Sequence, residues 1–150
     1  MDAATIVSLG KFGGAAALGL AAVGSSMGSG IAGMAAVGAW KKCYAQNRLA
    51  PFLLVAFIGA PLSQTIYGMI TMNNIVKAAV AGTSWPALIG AGFFGGLGMG
   101  ASAWGQGMAG AAGADALAET GKGFGNYLIA LGVIETVAIF VMIFIGKVIA

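Results

Sequence analysis

Four long apolar runs dominate the sequence and limit what the chain can fold into. Apolar residue types make up 59% of the chain and charged types only 7%, whereas a soluble domain usually carries about 25% charged residues. Runs of this length are typical of helices that cross a bilayer. We therefore expect an all-α membrane protein with four transmembrane helices, approximately at residues 12–40, 51–76, 85–114 and 126–150.

The composition excludes several classes of function. The chain has no His and one Cys, so neither a transition-metal site nor a His-based catalytic triad is expected. Cys43, in an expected polar loop, has no partner for a disulfide. The sequence around Lys122 lacks the spacing of a phosphate-binding loop. The seven basic residues lie at the ends of expected helices, where they act as interface anchors and not as a nucleic-acid surface.

The positions of the basic residues predict the orientation of the helices. Because cytoplasmic loops carry an excess of Lys and Arg, the loops after the first and third helices are expected in the cytoplasm and both termini outside, in a multi-pass protein of the cell membrane. Asp2 stands where a signal peptide would carry a base, which favours a retained first helix. The two loops hold four basic residues: Lys41, Lys42, Arg48 and Lys122.

The two halves of the chain resemble each other. A shift of 74 residues places Gly24 on Gly98, and the same shift superposes the helices that follow. We therefore expect two tandem, duplicated hairpins in one orientation, unlike the inverted repeats of many secondary transporters. The first hairpin would be residues 1–77, without a membrane-embedded carboxylate, and the second residues 78–150, with Glu135.

Glycine is concentrated in the first and third helices. Residues 24–30 and 96–102 contain small residues at alternate positions, although each Gly costs about 1 kcal/mol relative to Ala in a helix interior. Small residues let helix backbones approach closely in lipid, whereas the second and fourth helices carry bulky side chains. We expect an inner ring of first and third helices and an outer ring of second and fourth helices, closed by many copies of the chain.

Glu135 is the residue that most constrains function. It lies near the middle of the fourth helix, with no other charged residue between Asn126 and Gly146. A charge at the bilayer centre costs roughly 2.5–3.5 kcal/mol on insertion scales, so acids at this depth are functional by default. The structural alternative is a protonated Glu that is hydrogen-bonded to a neighbour.

Other polar residues are expected at the depth of Glu135. Gln106 and Glu135 lie almost equidistant from the loop that joins their helices, and Pro61, which frees a backbone carbonyl, is the counterpart of Glu135 in the first hairpin. Oxygen-rich ligands suit a hard cation such as Na⁺, whereas a proton needs fewer groups. The carboxamides could instead only join helices. Three side chains near Pro61 share a helix face: Ser63, Gln64 and Tyr67.

These features together resemble the proteolipid (K, or c) subunit of V-type ATPases over essentially the whole chain. The resemblance is greatest to the sodium-motive bacterial V-type ATPase, which has Pro-x-Thr-Gln-x-x-Tyr-Gly in the second helix, Gln-Gly in the third and Val-Glu-Thr in the fourth. The corresponding segments here are 61–68, 106–107 and 134–136, with Ser63 in place of Thr. By this resemblance Tyr67 would hydrogen-bond the carboxylate, and Na⁺ would be bound by Glu135, Gln64, Gln106, the Ser63 hydroxyl and the Ala60 carbonyl.

The resemblance implies a rotor-ring subunit that carries Na⁺ across the membrane as the ring rotates. It implies no catalytic residues and no organic cofactor, because ATP chemistry lies in other subunits. The implied partners are identical subunits in a ring, a stator membrane subunit with an essential arginine, central-stalk subunits and membrane lipid, and not nucleic acid. One alternative is the same ring carrying H⁺. Another is a small four-helix, proton-coupled multidrug exporter, which the glycine pattern and the parallel duplication disfavour.

Overall fold

The computed structural model describes residues 2–149, and within this range it contains helices and no strands. The elements are α1 (Ala3–Ala45), α2 (Leu54–Gly59), a 3-10 turn (Ala60–Leu62), α3 (Ser63–Val80), α4 (Trp85–Thr120) and α5 (Phe124–Val148). The segment Leu54–Val80 forms one span, so the described chain has four helical spans long and apolar enough to cross a membrane. The expected class, an all-α membrane protein with four transmembrane helices, is confirmed.

α1 and α4 are longer than the sequence predicts, and the loops are shorter. α1 already begins at Ala3, where the Asp2 carboxylate accepts a hydrogen bond of 2.7 Å from the Thr5 amide. This bond is a typical N-cap, and it lowers the pKa of the Asp2 carboxyl group. At its other end α1 continues to Ala45, so Cys43 lies buried in the last helical turn. The expected loop position of Cys43 is wrong, because that turn packs against α4.

The loops that follow α1 and α4 lie at the same end of the bundle. The Lys42 ammonium group lies 3.0 Å from an Asp115 oxygen and 3.6 Å from a Glu119 oxygen. The Arg48 guanidinium donates to the carbonyls of Ala118 and Glu119 at 3.2 and 3.3 Å. A cation at these carbonyls is favoured because the C-terminus of a helix carries partial negative charge. These contacts hold the end of α1 and the loop that follows it against the last turns of α4.

α1 and α4 form one layer through contact between their backbones. A Cβ atom added to Gly24 would overlap the backbone of Gly100, and one added to Gly107 would overlap the backbone of Gly28. Because no side chain stands between these residues, the two helices approach as closely as small residues allow in a membrane. The glycine-rich segments of the sequence therefore face each other within a single chain.

α3 and α5 form a second layer on the first. α3 packs against α1, where Gly68 lies against Ala21, and α5 packs against α4 and α3 with Leu131 and Ala138 buried. Most of the remaining surface of α5 is uncovered and apolar, as at Phe144. The predicted separation of glycine-rich and bulky helices thus corresponds to two layers within one chain.

Candidate functional site

Pro61 interrupts the second span within its first third. Proline lacks an N–H group and cannot donate to the carbonyl of Phe57 one turn earlier, and the chain passes here through the 3-10 turn. The Ala60 carbonyl accepts from the Ser63 amide and lies 3.1 Å from the Ser63 hydroxyl. The same hydroxyl lies 3.1 Å from Oε1 of Gln64. The turn thus groups three oxygen atoms at the start of α3.

Two buried carboxamides connect this turn to α4. Nε2 of Gln64 donates to Oε1 of Gln106 at 3.0 Å, and both side chains are almost fully buried. Nε2 of Gln106 donates to the Leu131 carbonyl at 3.1 Å and to Oε2 of Glu135 at 3.4 Å. These bonds matter for stability, since a buried polar group without a partner costs about 1–3 kcal/mol.

Glu135 receives hydrogen bonds from two other helices. The Tyr67 hydroxyl on α3 donates to Oε1 at 2.6 Å, and Gln106 on α4 donates to Oε2. Glu135 is half-buried on α5. Among residues 2–149, no Lys or Arg forms an ion pair with it. The carboxyl group is therefore held by neutral donors alone.

Gln106 turns its nitrogen, not its oxygen, toward Glu135. If Oε1 of Gln106 were to face Glu135, the carboxamide would have to rotate by half a turn about its last side-chain bond. That rotation would take Nε2 away from the Leu131 carbonyl and Oε1 away from Gln64. The hydrogen bonds of the two carboxamides are thus coupled, and neither can reorient alone without losing a partner.

Ser102 also belongs to this network, although the sequence pattern marks it only as a small residue of a glycine-rich segment. Its hydroxyl donates to the Ile134 carbonyl at 2.9 Å, and Nε2 of Gln64 donates to it at 3.5 Å. The available signal was its position one helical turn before Gln106, which places both side chains on the same face of α4.

The structure brings the predicted site residues together. A continuous chain of hydrogen bonds joins them across α3, α4 and α5. Between residues 2 and 149, no group of three His, Cys, Asp or Glu side chains is placed to hold a metal ion. The six residues, whose ion-binding roles remain predictions, are Ala60, Ser63, Gln64, Tyr67, Gln106 and Glu135.

The fold and the site define a class of membrane protein. In this class, transmembrane helices hold one carboxyl group inside the membrane, and its hydrogen-bond donors are neutral side chains. Residues 89–145, which include Gln106 and Glu135, match the family of the ATP synthase C subunit. The chain is also 35% identical over 132 residues to the A-type ATP synthase subunit K of Methanocaldococcus jannaschii. That match covers 88% of this chain and 57% of the relative, so the chain spans less than two thirds of the relative's length.

Most of the chain thus resembles membrane proteolipids of the ATP synthase C-subunit kind. The resemblance to the proteolipid subunit of V-type ATPases is therefore confirmed at the level of the family. Members of this family are non-catalytic and translocate ions, while catalysis lies in other subunits. The family gives no support to the alternative of a multidrug exporter.

Proposed function

We propose that the chain is a rotor-ring subunit of a V-type ATPase or ATP synthase that carries Na⁺ across the membrane as the ring rotates. The observation that supports this most is Glu135, held by Tyr67 and Gln106 without a basic partner among the described residues. An ionised carboxylate at this depth is costly. A monovalent cation that binds Glu135 would neutralise it and let the site face lipid.

The choice of Na⁺ rests on the oxygen atoms close to Glu135. Hard cations prefer oxygen ligands, and Na⁺ must replace several oxygens of its hydration shell. The proposed ligands are Glu135, Gln64, Gln106, the Ser63 hydroxyl and the Ala60 carbonyl. Ligation by Oε1 of Gln106 would require the half-turn of its carboxamide described above, so Na⁺ binding would rearrange the carboxamide network.

The same ring carrying H⁺ is the second candidate, and the number of hydrogen bonds that Glu135 already makes favours it. A protonated carboxyl group needs only one or two hydrogen bonds, and Glu135 already has partners at 2.6 and 3.4 Å. The carboxamides of Gln64 and Gln106 would then serve to join α3 to α4. Both candidates assign the carrier role to Glu135.

The ring itself is proposed because part of the glycine pattern has no partner within one chain. Among residues 2–149, none from another part of the fold lies close enough to touch a Cβ atom added to Gly19, Gly30 or Gly38 on α1. Glycine in a helix interior costs about 1 kcal/mol relative to Ala. Small residues that face outward would be useful where a second copy of the chain packs closely. A closed ring of identical subunits supplies that copy, with α1 and α4 on the inside.

The proposed mechanism is rotary. An ion enters beside a stator membrane subunit and binds Glu135, the ring turns through lipid, and an arginine of the stator releases the ion on the other side. Central-stalk subunits link the ring to the soluble subunits that handle ATP. We further propose that residues 1–77 and 78–150 are tandem copies. In the cell membrane, the loops after α1 and α4 would be cytoplasmic and both termini outside.

Carbodiimide labelling of the purified oligomer tests the proposal. The reagent attacks a protonated carboxyl group in an apolar setting, so it should modify Glu135. If Na⁺ binds at Glu135, millimolar Na⁺ should slow labelling near neutral pH. Labelling that is indifferent to Na⁺ between about pH 6 and pH 9 would support the H⁺ candidate. The absence of any ring in native mass spectrometry, with monomers or dimers alone, would reject both.

A further inference from the structure

Ser102 lies where three elements of the site meet, and the proposed function gives it no task. Its side chain is 6% exposed. From α4 it contacts the Ile134 carbonyl on α5 and the Gln64 carboxamide on α3. Ile134 directly precedes Glu135, so the hydroxyl of Ser102 touches the backbone that carries the carboxyl group.

The count of protons determines the direction of these bonds. A serine hydroxyl has one proton, and the 2.9 Å contact with the Ile134 carbonyl uses it, because a carbonyl can only accept. The oxygen lone pairs of Ser102 therefore accept from Nε2 of Gln64. Nε2 has two protons, and the second is donated to Gln106. With both protons of Nε2 engaged, Oε1 of Gln64 points toward Ser63.

We propose that Ser102 is a positioning residue that sets the ion affinity of the Glu135 site, an inference that rests on the proposed function. Ser102 keeps Oε1 of Gln64 on the side of the Ser63 hydroxyl, where the oxygen atoms of the site are grouped. It also ties α4 to the α5 backbone immediately before Glu135. Without the hydroxyl, the Gln64 carboxamide keeps only its bonds to Gln106 and Ser63, and its Oε1 is held less firmly toward the site.

The test compares Ser102→Ala with Ser25→Ala in the assembled oligomer. Ser25 lies on α1 and is 2% exposed, and its hydroxyl has no hydrogen-bond partner among the described residues. The two variants lose the same atom from buried positions. In Ser102→Ala, the Na⁺ concentration that halves carbodiimide labelling should rise about three- to tenfold, the size expected of one lost hydrogen bond. In Ser25→Ala this Na⁺ concentration should stay within about twofold of the value for the unmutated protein.

Two further variants separate positioning from packing. Ser102→Thr keeps the hydroxyl and should restore most of the Na⁺ protection. If Ser102→Ala does not assemble, Ser102→Cys replaces it, since a thiol of similar shape is a poor hydrogen-bond partner. Because Ser102 acts through Gln64, Ser102→Ala should have little additional effect in a Gln64→Ala background. An undiminished effect in that background, or an unchanged Na⁺ requirement in Ser102→Ala itself, would overturn the proposal.

The failure of the sodium function would be visible separately. An unmutated oligomer whose labelling ignores Na⁺ rejects that function without deciding the role of Ser102. The role is then measured by the labelling rate at a fixed pH without Na⁺, since the carboxamides still connect Ser102 to Glu135. A change of about threefold or more in Ser102→Ala, with none in Ser25→Ala, supports positioning. Equal rates in the two variants overturn it.

Discussion

The Tyr67 hydroxyl donates a 2.6 Å hydrogen bond to Oε1 of Glu135, and this bond joins α3 to α5. The two residues lie on different spans, so the carboxyl group of the fourth span depends on a donor from the second. Bonds of this length between a hydroxyl and a carboxylate are charge-assisted and stronger than those between neutral groups. The contact should therefore hold the Glu135 side chain in the orientation that the proposed site requires.

Replacing Tyr67 by Phe should weaken Na⁺ binding while leaving the packing of α3 intact. A hydrogen bond to a charged group contributes about 1.5–3 kcal/mol, so protection of Glu135 from carbodiimide should require at least about tenfold more Na⁺. Tyr44→Phe is the control, because that side chain lies at the C-terminal end of α1, away from Glu135, and is 69% exposed. Equal Na⁺ requirements in the two variants would show that the Tyr67 bond does not contribute to the site.

Glu135→Gln should abolish ion-coupled ATP hydrolysis in the assembled complex and leave the oligomer intact. The carboxamide has nearly the same shape but cannot alternate between charged and neutral forms. The measurements are ion transport into vesicles and native mass spectrometry of the ring. Glu119→Gln, at an exposed carboxylate near the end of α4, should transport normally. Ion transport that survives Glu135→Gln would remove Glu135 as the carrier.

Gln64→Ala and Gln106→Ala should each raise the Na⁺ concentration needed for protection by about tenfold or more, since each removes one proposed ligand oxygen and its hydrogen bonds. Labelling without Na⁺ should persist in both. In the unmutated ring the protection should weaken as the pH falls, because protons then compete for the same carboxylate. Asn73→Ala, an exposed carboxamide on α3, should behave as the unmutated protein. Normal protection in all three variants would leave the two Gln residues as links between helices.

Gly24→Ala should destabilise the protein by about 1–3 kcal/mol, the usual cost of overpacking. The added methyl group would overlap the Gly100 backbone and push α1 away from α4. Thermal unfolding of the detergent-solubilised oligomer measures the effect. Gly125→Ala, at a position where an added Cβ atom meets open space, should have little effect. If the two variants unfold at the same temperature, the backbone contact is not needed for stability.

Most of the site could be predicted because its residues lie at regular positions on helices. Gln106 and Glu135 lie at nearly equal sequence distances from the loop that joins their helices, which was enough to predict that they stand at the same depth. Helical spacing placed Gln64 and Tyr67 on one face. Ser102 was not recognised as a site residue because its partner is a backbone carbonyl on another helix. No local pattern marks such a carbonyl, so only the packed structure reveals this bond.

The ends of the helices were predicted less well than their centres. Residues 41–45 have the polarity of a loop, yet they remain helical because Cys43 is buried against α4. α4 likewise continues to Thr120 and ends at Gly121, whose φ of 66° suits glycine. The ends of α1 and α4 also pack against each other at Cys43 and Ala118, and local polarity does not report a contact between segments so far apart in the sequence.

The backbone contact between Gly24 and Gly100 has a mechanical consequence. Side chains absorb small displacements by changing rotamer, but no rotamers exist where two backbones touch. A shift of α1 should therefore pass directly to α4, as strain passes through a close-packed solid. α5 is held by side chains and hydrogen bonds, so it can yield locally. In the proposed ring, the layer of α1 and α4 would then be the stiffer one, and the layer that carries Glu135 the more compliant one.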